Sequence, residues 1–354
     1  MVWITVMNSF QRVMAASRFE ASDRVPVIAQ VFGHAATLAG VRLEDYLHDA
    51  EVLARCQLAA LRHYGYDAVF AFVDACVEVE AAGAALRFLD EHRYPFCVRP
   101  CCAVDTDFTR RPLPDPMLDG RMPVQLAAAG RLRAAVGDEV LVTGCVQGPM
   151  TLALQLLGAE TAMFFAADHP ERFERVLDYT TAVAIRFGLA QIEAGVHLPL
   201  VFEPGGSPAL VPASFFREFL LPRIGRIFDA FTAAGAVGRW LHIAGPVQPI
   251  LPLYGDIGVS IANLDYYVSP AEMAELAPGI CAAGSVRPMA FVLDSPTEIF
   301  AEATNLIGAY RKRGGFILSS GCEIPPEANP ACIEALMAAA KQAAASGGGG
   351  DAQA

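Results

Sequence analysis

The segment VLVTGCVQGPMTLALQLLGA, residues 140–159, decides how the rest of the chain is interpreted. The uncharged run between Glu139 and Glu160 is long enough to suggest a membrane span. Gly144, Gly148 and Pro149 interrupt it, and glycine and proline typically end regular structure. The segment therefore predicts a short strand, a turn and a buried helix rather than a membrane span.

The same order of strand and helix recurs along the chain. Eight short apolar runs end at turn residues or polar side chains, and helical stretches that begin with Ser, Asp or Pro and end near Gly lie between them. The runs cover residues 25–32, 68–73, 140–143, 198–202, 237–241, 257–264, 280–283 and 316–318. Eight such units predict an α/β fold, the (β/α)8 or TIM barrel, whose active site lies at the carboxyl ends of its strands.

Three segments fall outside this alternation. Residues 8–19 predict an amphipathic N-terminal helix outside the barrel. Residues 86–137, rich in Pro, Arg and Asp, predict an insertion after the second unit, with a small hairpin over the site. The Ala, Ser and Gly run predicts a disordered tail over residues 343–354, which leaves residues 1–342 as a single barrel domain.

The composition excludes several functional classes. A hydrophobic fraction of 54% with 18% charged residues argues against disorder, and a net charge of −12 argues against a nucleic-acid surface. The chain shows no secretory signal pattern, and its nine cysteines lack the spacing of a disulfide framework. We therefore expect a cytoplasmic protein that binds no membrane, has small-molecule or protein partners and is compatible with a homodimer.

Polar or metal-capable side chains stand where the predicted strands end. These positions are His34, Asp74, Gln147, Glu203, His242, Asp265, Ser285 and Cys322. Because the strand ends of a barrel converge, we expect these side chains to meet at one site. Any one of them could be polar only because strands end at the surface, but the whole set favours an enzyme.

His242 and Cys322 form the most specific pair in this set. An imidazole and a thiolate suit zinc, which would lower the pKa of a substrate thiol bound beside them. Two ligands are too few for a tight site, so we expect Asp265 to be the third ligand, with Glu203 as the alternative. The competing interpretation is a hydrogen-bonded histidine and an inert buried thiol, with no metal.

The remaining positions have less specific roles. Asp74 could orient a cationic nitrogen or accept hydrogen bonds from pyrrole groups, or it could cap the following helix. His34 lines the pocket or faces solvent, and we take Asp74, His34 and Glu203 as candidate catalytic residues. Gln147 and Ser285 are the candidate cofactor contacts.

Several motifs resemble the uroporphyrinogen decarboxylase superfamily. They are Asp23-Arg24-Val25-Pro26-Val27, Gly65-Tyr66-Asp67-Ala68-Val69, Gly148-Pro149-Met150-Thr151-Leu152, the segment from Pro212 to Pro222, Ala283-Gly284-Ser285-Val286 and Gly321-Cys322-Glu323-Ile324-Pro325-Pro326. The motifs extend over most of the chain. The resemblance independently implies a (β/α)8 barrel.

The decarboxylase branch of this superfamily matches poorly. Asp74 stands at the position of its strand-end Asp, but the segment from Gln30 to His34 departs from the Arg-containing N-terminal segment. Gln155 stands near where a Tyr belongs, and Cys322 replaces a late His. These departures argue against porphyrinogen decarboxylation.

The zinc-dependent corrinoid methyltransferases, such as the methylcobamide:coenzyme M methyltransferases, form the second branch. Their signature is His-x-Cys followed much later by Cys inside Gly-Cys-Glu-(Ile/Val)-Pro. His242 and Cys322 match this signature, whereas Ala244 replaces the central cysteine. Either an oxygen ligand takes the place of that thiolate or the metal is lost, and the intact late motif favours the oxygen ligand.

The resemblance thus implies an enzyme that transfers a methyl group between a corrinoid and a thiol or another small-molecule donor or acceptor, assisted by Zn²⁺. The chain has no Asp-x-His-x-x-Gly cobalamin-ligand segment, so we expect a separate corrinoid-binding protein to carry the corrinoid. Two alternatives stay open. One is a decarboxylase of porphyrinogen-like acids that relies on Asp74, and the other is a non-catalytic corrinoid- or tetrapyrrole-binding protein.

Overall fold

Eight parallel strands form a nearly closed barrel in the computed structural model, which describes residues 6–90 and 93–347. The predicted fold and its eight barrel strands are confirmed. The strands are β1 (Val27–Ile28), β2 (Ala68–Ala71), β3 (Ala85–Arg87), β4 (Phe96–Arg99), β5 (Leu141–Gln147), β6 (Leu198–Phe202), β7 (Trp240–His242), β8 (Ile261–Asn263), β9 (Cys281–Val286) and β10 (Phe316–Ser320). β3 and β4 form a separate two-stranded sheet, and hydrogen-bonded neighbours in the barrel follow the order β1-β10-β9-β8-β7-β6-β5-β2.

Helices connect the barrel strands. Gly158, with a φ of 84°, separates α7 (Pro149–Leu157) from α8 (Ala159–Asp168), since glycine tolerates this backbone conformation. The helices are α1 (Ser9–Ser17), α2 (His34–Leu38), α3 (Leu43–His48), α4 (Ala50–Tyr64), α5 (Val77–Ala81), α6 (Met122–Val136), α7 (Pro149–Leu157), α8 (Ala159–Asp168), α9 (Pro170–Glu193), α10 (Ala213–Phe215), α11 (Leu221–Ala233), α12 (Pro270–Leu276), α13 (Ala290–Leu293), α14 (Pro296–Tyr310) and α15 (Pro330–Gly347).

Alternate side chains along the strands point inward and fill the barrel. This inner cluster includes Ile28, Phe70, Leu141, Leu198, Trp240, Ile261 and Ile317. Val13 and Ala16 of α1 belong to the same cluster, so α1 packs across the amino-terminal end of the barrel. Asn8 caps that helix, because its side chain accepts a hydrogen bond of 2.8 Å from the Gln11 amide.

A buried carboxylate closes the barrel where the β1–β2 ladder is missing. The backbone N–H of Asp67 donates to the Val27 carbonyl at 2.8 Å, and its side chain accepts from the Val27 N–H at 2.7 Å. The same carboxylate pairs with Arg12 at 2.7 Å and with Arg24 at 2.6 Å. Asp67 therefore joins β1, β2 and the N-terminal helix.

The insertion and the tail are both shorter than predicted. β3 and β4 form the expected antiparallel hairpin, but Met122–Val136 is the barrel helix α6, so the insertion ends before residue 122 rather than at residue 137. Its Ala- and Leu-rich sequence favours helix over loop. α15 likewise continues to Gly347, because alanine sustains a helix, and the tail residues 348–354 lie outside the described residues.

No single helix within residues 6–90 and 93–347 is both long and apolar enough to cross a membrane. The pair Pro149–Leu157 and Ala159–Asp168 meets that criterion only jointly, and the two helices are bent by 112°. The uncharged run that resembled a membrane span is thus divided among β5, α7 and α8.

Candidate active site

A cavity of about 150 Å³ lies at the carboxyl ends of the barrel strands. Most of its wall is aromatic or aliphatic. Its lining residues are Gln30, Phe32, Phe72, Asp74, Ala75, Tyr94, Pro95, Cys145, Leu200, Phe202, His242, Cys322 and Glu323. Three predicted site residues, Asp74, His242 and Cys322, therefore share one cavity, as the convergence of strand ends requires.

His242 is the last residue of β7 and is almost completely buried. Within the described residues, neither ring nitrogen has a hydrogen-bond partner. The Phe202 ring packs against the imidazole with the centroids 4.9 Å apart. Burial lowers the pKa of His242 to about 3 against a smaller opposing effect of the nearby Gly321 backbone, so the imidazole is neutral at neutral pH. A neutral ring with unsatisfied nitrogens is poised to bind a ligand in the cavity.

Cys322 follows β10 and lines the same cavity. Burial raises the pKa of its thiol to about 12, and the carboxylates of Glu323 and Asp265 add to the effect. The side chain is consequently a neutral thiol at neutral pH. It can pack against or hydrogen-bond to a ligand, but it is not a nucleophile without further activation.

Asp265 does not line the cavity, in contrast to its predicted role as third metal ligand. One carboxylate oxygen accepts from the Gly245 N–H at 3.2 Å, and the other accepts from the Tyr266 N–H at 2.8 Å. The side chain therefore holds the loops after β7 and β8 together. Both of its oxygens are engaged by backbone donors.

Glu203, the alternative ligand and a candidate catalytic residue, is also held by backbone groups. It accepts from the Met150 N–H at 3.0 Å and from the N–H and hydroxyl of Thr151, both at 2.9 Å. A side chain at Gly148 would collide with Glu203, so glycine is required there. Glu203 thus anchors the first turn of α7 against β6 and lies outside the cavity wall.

The residues present do not form the zinc site that the resemblance implied. Across residues 6–90 and 93–347, no group of three His, Cys, Asp or Glu side chains could hold a metal ion. His242 and Cys322 supply two donors, and Ala244 supplies none. Two donors are fewer than the three or four of protein zinc sites, so no catalytic step is assigned to a metal.

Asp74 reaches the cavity as part of a buried ion-pair network. Arg121 donates to both of its carboxylate oxygens, and the Cys76 N–H donates to one of them at 2.8 Å. The same guanidinium donates to Glu80 at 2.7 Å. The two acidic side chains therefore share one guanidinium, which fixes Asp74 at the cavity wall.

His34, Gln147 and Ser285 lie outside the cavity wall. The two ring nitrogens of His34 contact the Tyr64 hydroxyl at 2.7 Å and the Pro326 carbonyl at 3.2 Å, and burial lowers the pKa of the ring. Both side-chain polar atoms of Gln147 are buried without a partner in the described structure. The predicted convergence therefore holds for only some of the strand-end residues.

Three polar cavity residues were not predicted, Gln30, Tyr94 and Glu323. The Gln30 side chain donates to Asn263 at 3.0 Å and to the Ser320 carbonyl at 2.9 Å. The Tyr94 hydroxyl donates to the Glu323 carboxylate at 2.5 Å and accepts from the Gly33 N–H at 2.7 Å. Burial raises the pKa of Glu323 to about 7, so its carboxyl group exchanges a proton near neutrality. Glu323 was within the quoted Gly-Cys-Glu motif, whereas nothing in the insertion singled out Tyr94.

Buried acids make the free energy of unfolding depend on pH. Burial raises the pKa of Glu78 to about 8 and of both Glu203 and Glu323 to about 7, whereas a free glutamate has a pKa near 4.5. A raised carboxyl pKa favours folding at low pH, and this contribution disappears as pH rises from about 4.5 to 8. We expect Glu78→Gln, compared with wild type, to reduce the loss of stability over this range by on the order of 1 kcal/mol or more.

Urea denaturation between pH 5 and pH 8.5 measures this effect. Glutamine at position 78 keeps an oxygen that can accept the 2.7 Å hydrogen bond from the Gln147 N–H. A difference between the variant and wild type therefore reports the loss of the titrating carboxyl group. The exposed Glu275 provides the control, since Glu275→Gln should retain the wild-type pH dependence. Identical curves for Glu78→Gln and wild type would contradict the assignment.

Comparison with known proteins places this barrel among related enzymes. The family model described as uroporphyrinogen decarboxylase (URO-D) matches residues 8–343. Methylcobamide:CoM methyltransferase MtaA of Methanosarcina barkeri is 28% identical over 335 residues, which cover 93% of this chain and 96% of that protein. A uroporphyrinogen decarboxylase of Nocardia farcinica is 27% identical over 316 residues, covering 84% and 85% of the two chains.

Solved structures agree with this placement. A methyltransferase from Methanosarcina mazei matches with a TM-score of 0.85 and 26% identity, covering 95% of this chain and 99% of that chain. A B12-independent methionine synthase from Shewanella sp. W3-18-1 matches with a TM-score of 0.56 and 14% identity, covering 84% and 88% of the two chains. The second similarity concerns the fold alone.

Proposed function

Because the chain belongs to the uroporphyrinogen decarboxylase (URO-D) family, whose members include both decarboxylases and methyltransferases, we propose that it is a corrinoid-dependent methyltransferase. It moves a methyl group between a small substrate in the His242 cavity and a corrinoid carried by a separate protein. The observation that carries this proposal is the small, apolar cavity with an unsatisfied imidazole in its wall.

The charge and size of the cavity favour methyl transfer over decarboxylation. Among the described residues that line it there is no Lys or Arg, whereas a porphyrinogen acid presents several carboxylates that need cationic partners. Asp74, the residue that decarboxylation would use, is already paired with Arg121. The volume of about 150 Å³ is also below the roughly 300–1,000 Å³ of pockets for drug-sized ligands.

Three polar wall residues, His242, Glu323 and Tyr94, have definite tasks in this proposal. His242 forms a hydrogen bond with the heteroatom of the substrate that gains or loses the methyl group, because its ring nitrogens have no other partner in the described structure. Glu323, held by Tyr94, accepts or supplies the proton that the heteroatom loses or gains as the methyl group moves. The aromatic wall excludes water. A corrinoid, when presented by its protein, supplies the cobalt centre that exchanges the methyl group.

Methyl transfer can be measured directly with methylcob(III)alamin, through the absorbance change on loss of its methyl group to a panel of small thiols. We expect His242→Ala to lower kcat/KM by about 100-fold or more, since it removes the hydrogen-bonding group nearest to the reacting atoms. His63→Ala is the matched control, because His63 is an exposed histidine that contacts Glu334 at 3.0 Å.

Two other results would replace the proposal with its alternatives. Carbon dioxide release from uroporphyrinogen that disappears in Asp74→Asn, without methyl transfer in the first assay, would identify a decarboxylase. An absorbance shift of added cobalamin without turnover in either assay would identify a binding protein.

A further inference from the structure

Two consecutive cysteines in the insertion, Cys101 and Cys102, place their sulfur atoms 3.9 Å apart. Both side chains are half-buried, in contrast to Cys56, Cys145 and Cys281, which are buried. We propose that this vicinal dithiol is a thiol-modification site that reacts with low-molecular-weight disulfides, Cys101 being the attacking sulfur and Cys102 the resolving one. The site lies outside the cavity and does not depend on the proposed methyl transfer.

A fixed cation accounts for the different roles of the two sulfurs. The Arg111 guanidinium lies 3.7 Å from the Cys101 sulfur, and it also donates to the Tyr179 hydroxyl at 3.2 Å and to the Ala82 carbonyl at 2.5 Å. The Cys102 thiol, as a hydrogen-bond partner, and Arg111 together lower the pKa of Cys101 to about 7, whereas the pKa of Cys102 is raised. Cys101 is therefore substantially a thiolate at neutral pH, the form that attacks disulfides.

The reaction balances as two exchanges. The Cys101 thiolate attacks a disulfide RSSR, which forms a mixed disulfide and releases one thiolate RS⁻. Cys102 then loses its proton to solvent or to the released thiolate, attacks the Cys101 sulfur and expels the second RS⁻. The net result is one bond between Cys101 and Cys102 and two RSH molecules, so RSSR is the oxidant that is reduced.

The resulting bond is expected to be readily reversible. Consecutive Cα atoms are about 3.8 Å apart, which is shorter than the usual separation of roughly 4.4–6.8 Å across a disulfide. Such a strained bond is easily reduced. The two cysteines are connected to the cavity wall through α7. The Cys102 N–H donates to the Leu156 carbonyl at 3.1 Å. The side chain of Gln155, the preceding residue of α7, donates to the carbonyl of Ala75 in the cavity wall at 2.8 Å.

The test treats the native protein with 4,4′-dithiodipyridine and follows released thiopyridone by absorbance and the protein by intact mass. We expect a first phase that releases two thiopyridones per chain and leaves no pyridyl adduct, because Cys102 displaces the first one. Dithiothreitol should restore both thiols. Peptide mapping should then locate the bond between residues 101 and 102.

Three serine variants distinguish the attacking sulfur of Cys101 from the resolving sulfur of Cys102. Cys102→Ser should retain the fast step but stop at a stable pyridyl adduct on Cys101, whereas Cys101→Ser should react at least about 10-fold more slowly. Cys97→Ser, which alters another half-buried cysteine of the insertion, should behave like wild type. A fast phase that survives in Cys101→Ser, or stable adducts on both sulfurs of the wild-type protein, would overturn the proposal.

Discussion

Replacing Ala244 with cysteine is expected to complete a zinc site for which the described residues supply only His242 and Cys322. Ala244 follows His242 by two residues and stands where the methyltransferase signature His-x-Cys has its cysteine. A thiolate there would join His242 and Cys322 as a third soft donor. Changes in residues that merely support a metal ligand alter affinity by about 10–100-fold, so adding a ligand should tighten zinc binding by at least about 100-fold.

Metal analysis after purification without chelator, followed by competition with a chromophoric zinc indicator, measures this gain. We expect well under one equivalent of zinc in the wild type and close to one equivalent in Ala244→Cys. Ala244→Ser is the control, since it has similar size but no thiolate. Stoichiometric zinc in the wild type that Cys322→Ala removes would show that the natural chain assembles a complete site without this thiolate.

Loss of the carboxylate that closes the barrel should have the largest effect on folding. Asp67→Ala would leave Arg24 without its buried partner and Arg12 with only Asp23, and it would remove the acceptor for the Val27 N–H. Breaking a buried ion pair by removing one partner costs about 3–5 kcal/mol. We expect a decrease of this size in the free energy of unfolding, measured by urea denaturation at neutral pH.

Two related variants separate the contribution of the Asp67 charge from that of its hydrogen bond to Val27 and from that of Asp23. Asp67→Asn keeps an oxygen for the Val27 N–H but removes the charge, so it should be less destabilising than Asp67→Ala. Asp23→Ala should cost less than either, because Asp23 is partly exposed and Arg12 would keep Asp67. A loss below about 1 kcal/mol in Asp67→Ala would mean that solvent replaces the carboxylate at the junction.

The barrel could be predicted because its signal is local and repeated. Each strand is a short apolar run followed by a turn residue. Helix ends depend on single residues instead, as at Gly158, where a positive φ separates α7 from α8 within one uncharged stretch. The extent of α6 was missed because the charged composition of the insertion obscured a helical segment.

Residues of the site could be predicted only where the topology of the backbone decides where their side chains lie. Strand ends converge in any barrel, which brought His242, Cys322 and Asp74 to the cavity. Whether a carboxylate faces the cavity depends on its partners, and Asp265 and Glu203 are held by backbone N–H groups that no sequence pattern indicates. The contact between Tyr94 and Glu323 joins distant parts of the chain, so sequence spacing could not indicate it.

The contact between Tyr94 and Glu323 has a consequence for how substrate preference can change in evolution. Tyr94 and Pro95 belong to the insertion, yet they complete a cavity whose other walls are strands and strand ends. Substrate preference can therefore evolve by exchange of the insertion, while the strands that maintain the fold stay unchanged. Chains that share this barrel but differ between residues 85 and 121 are where we expect new specificities to arise.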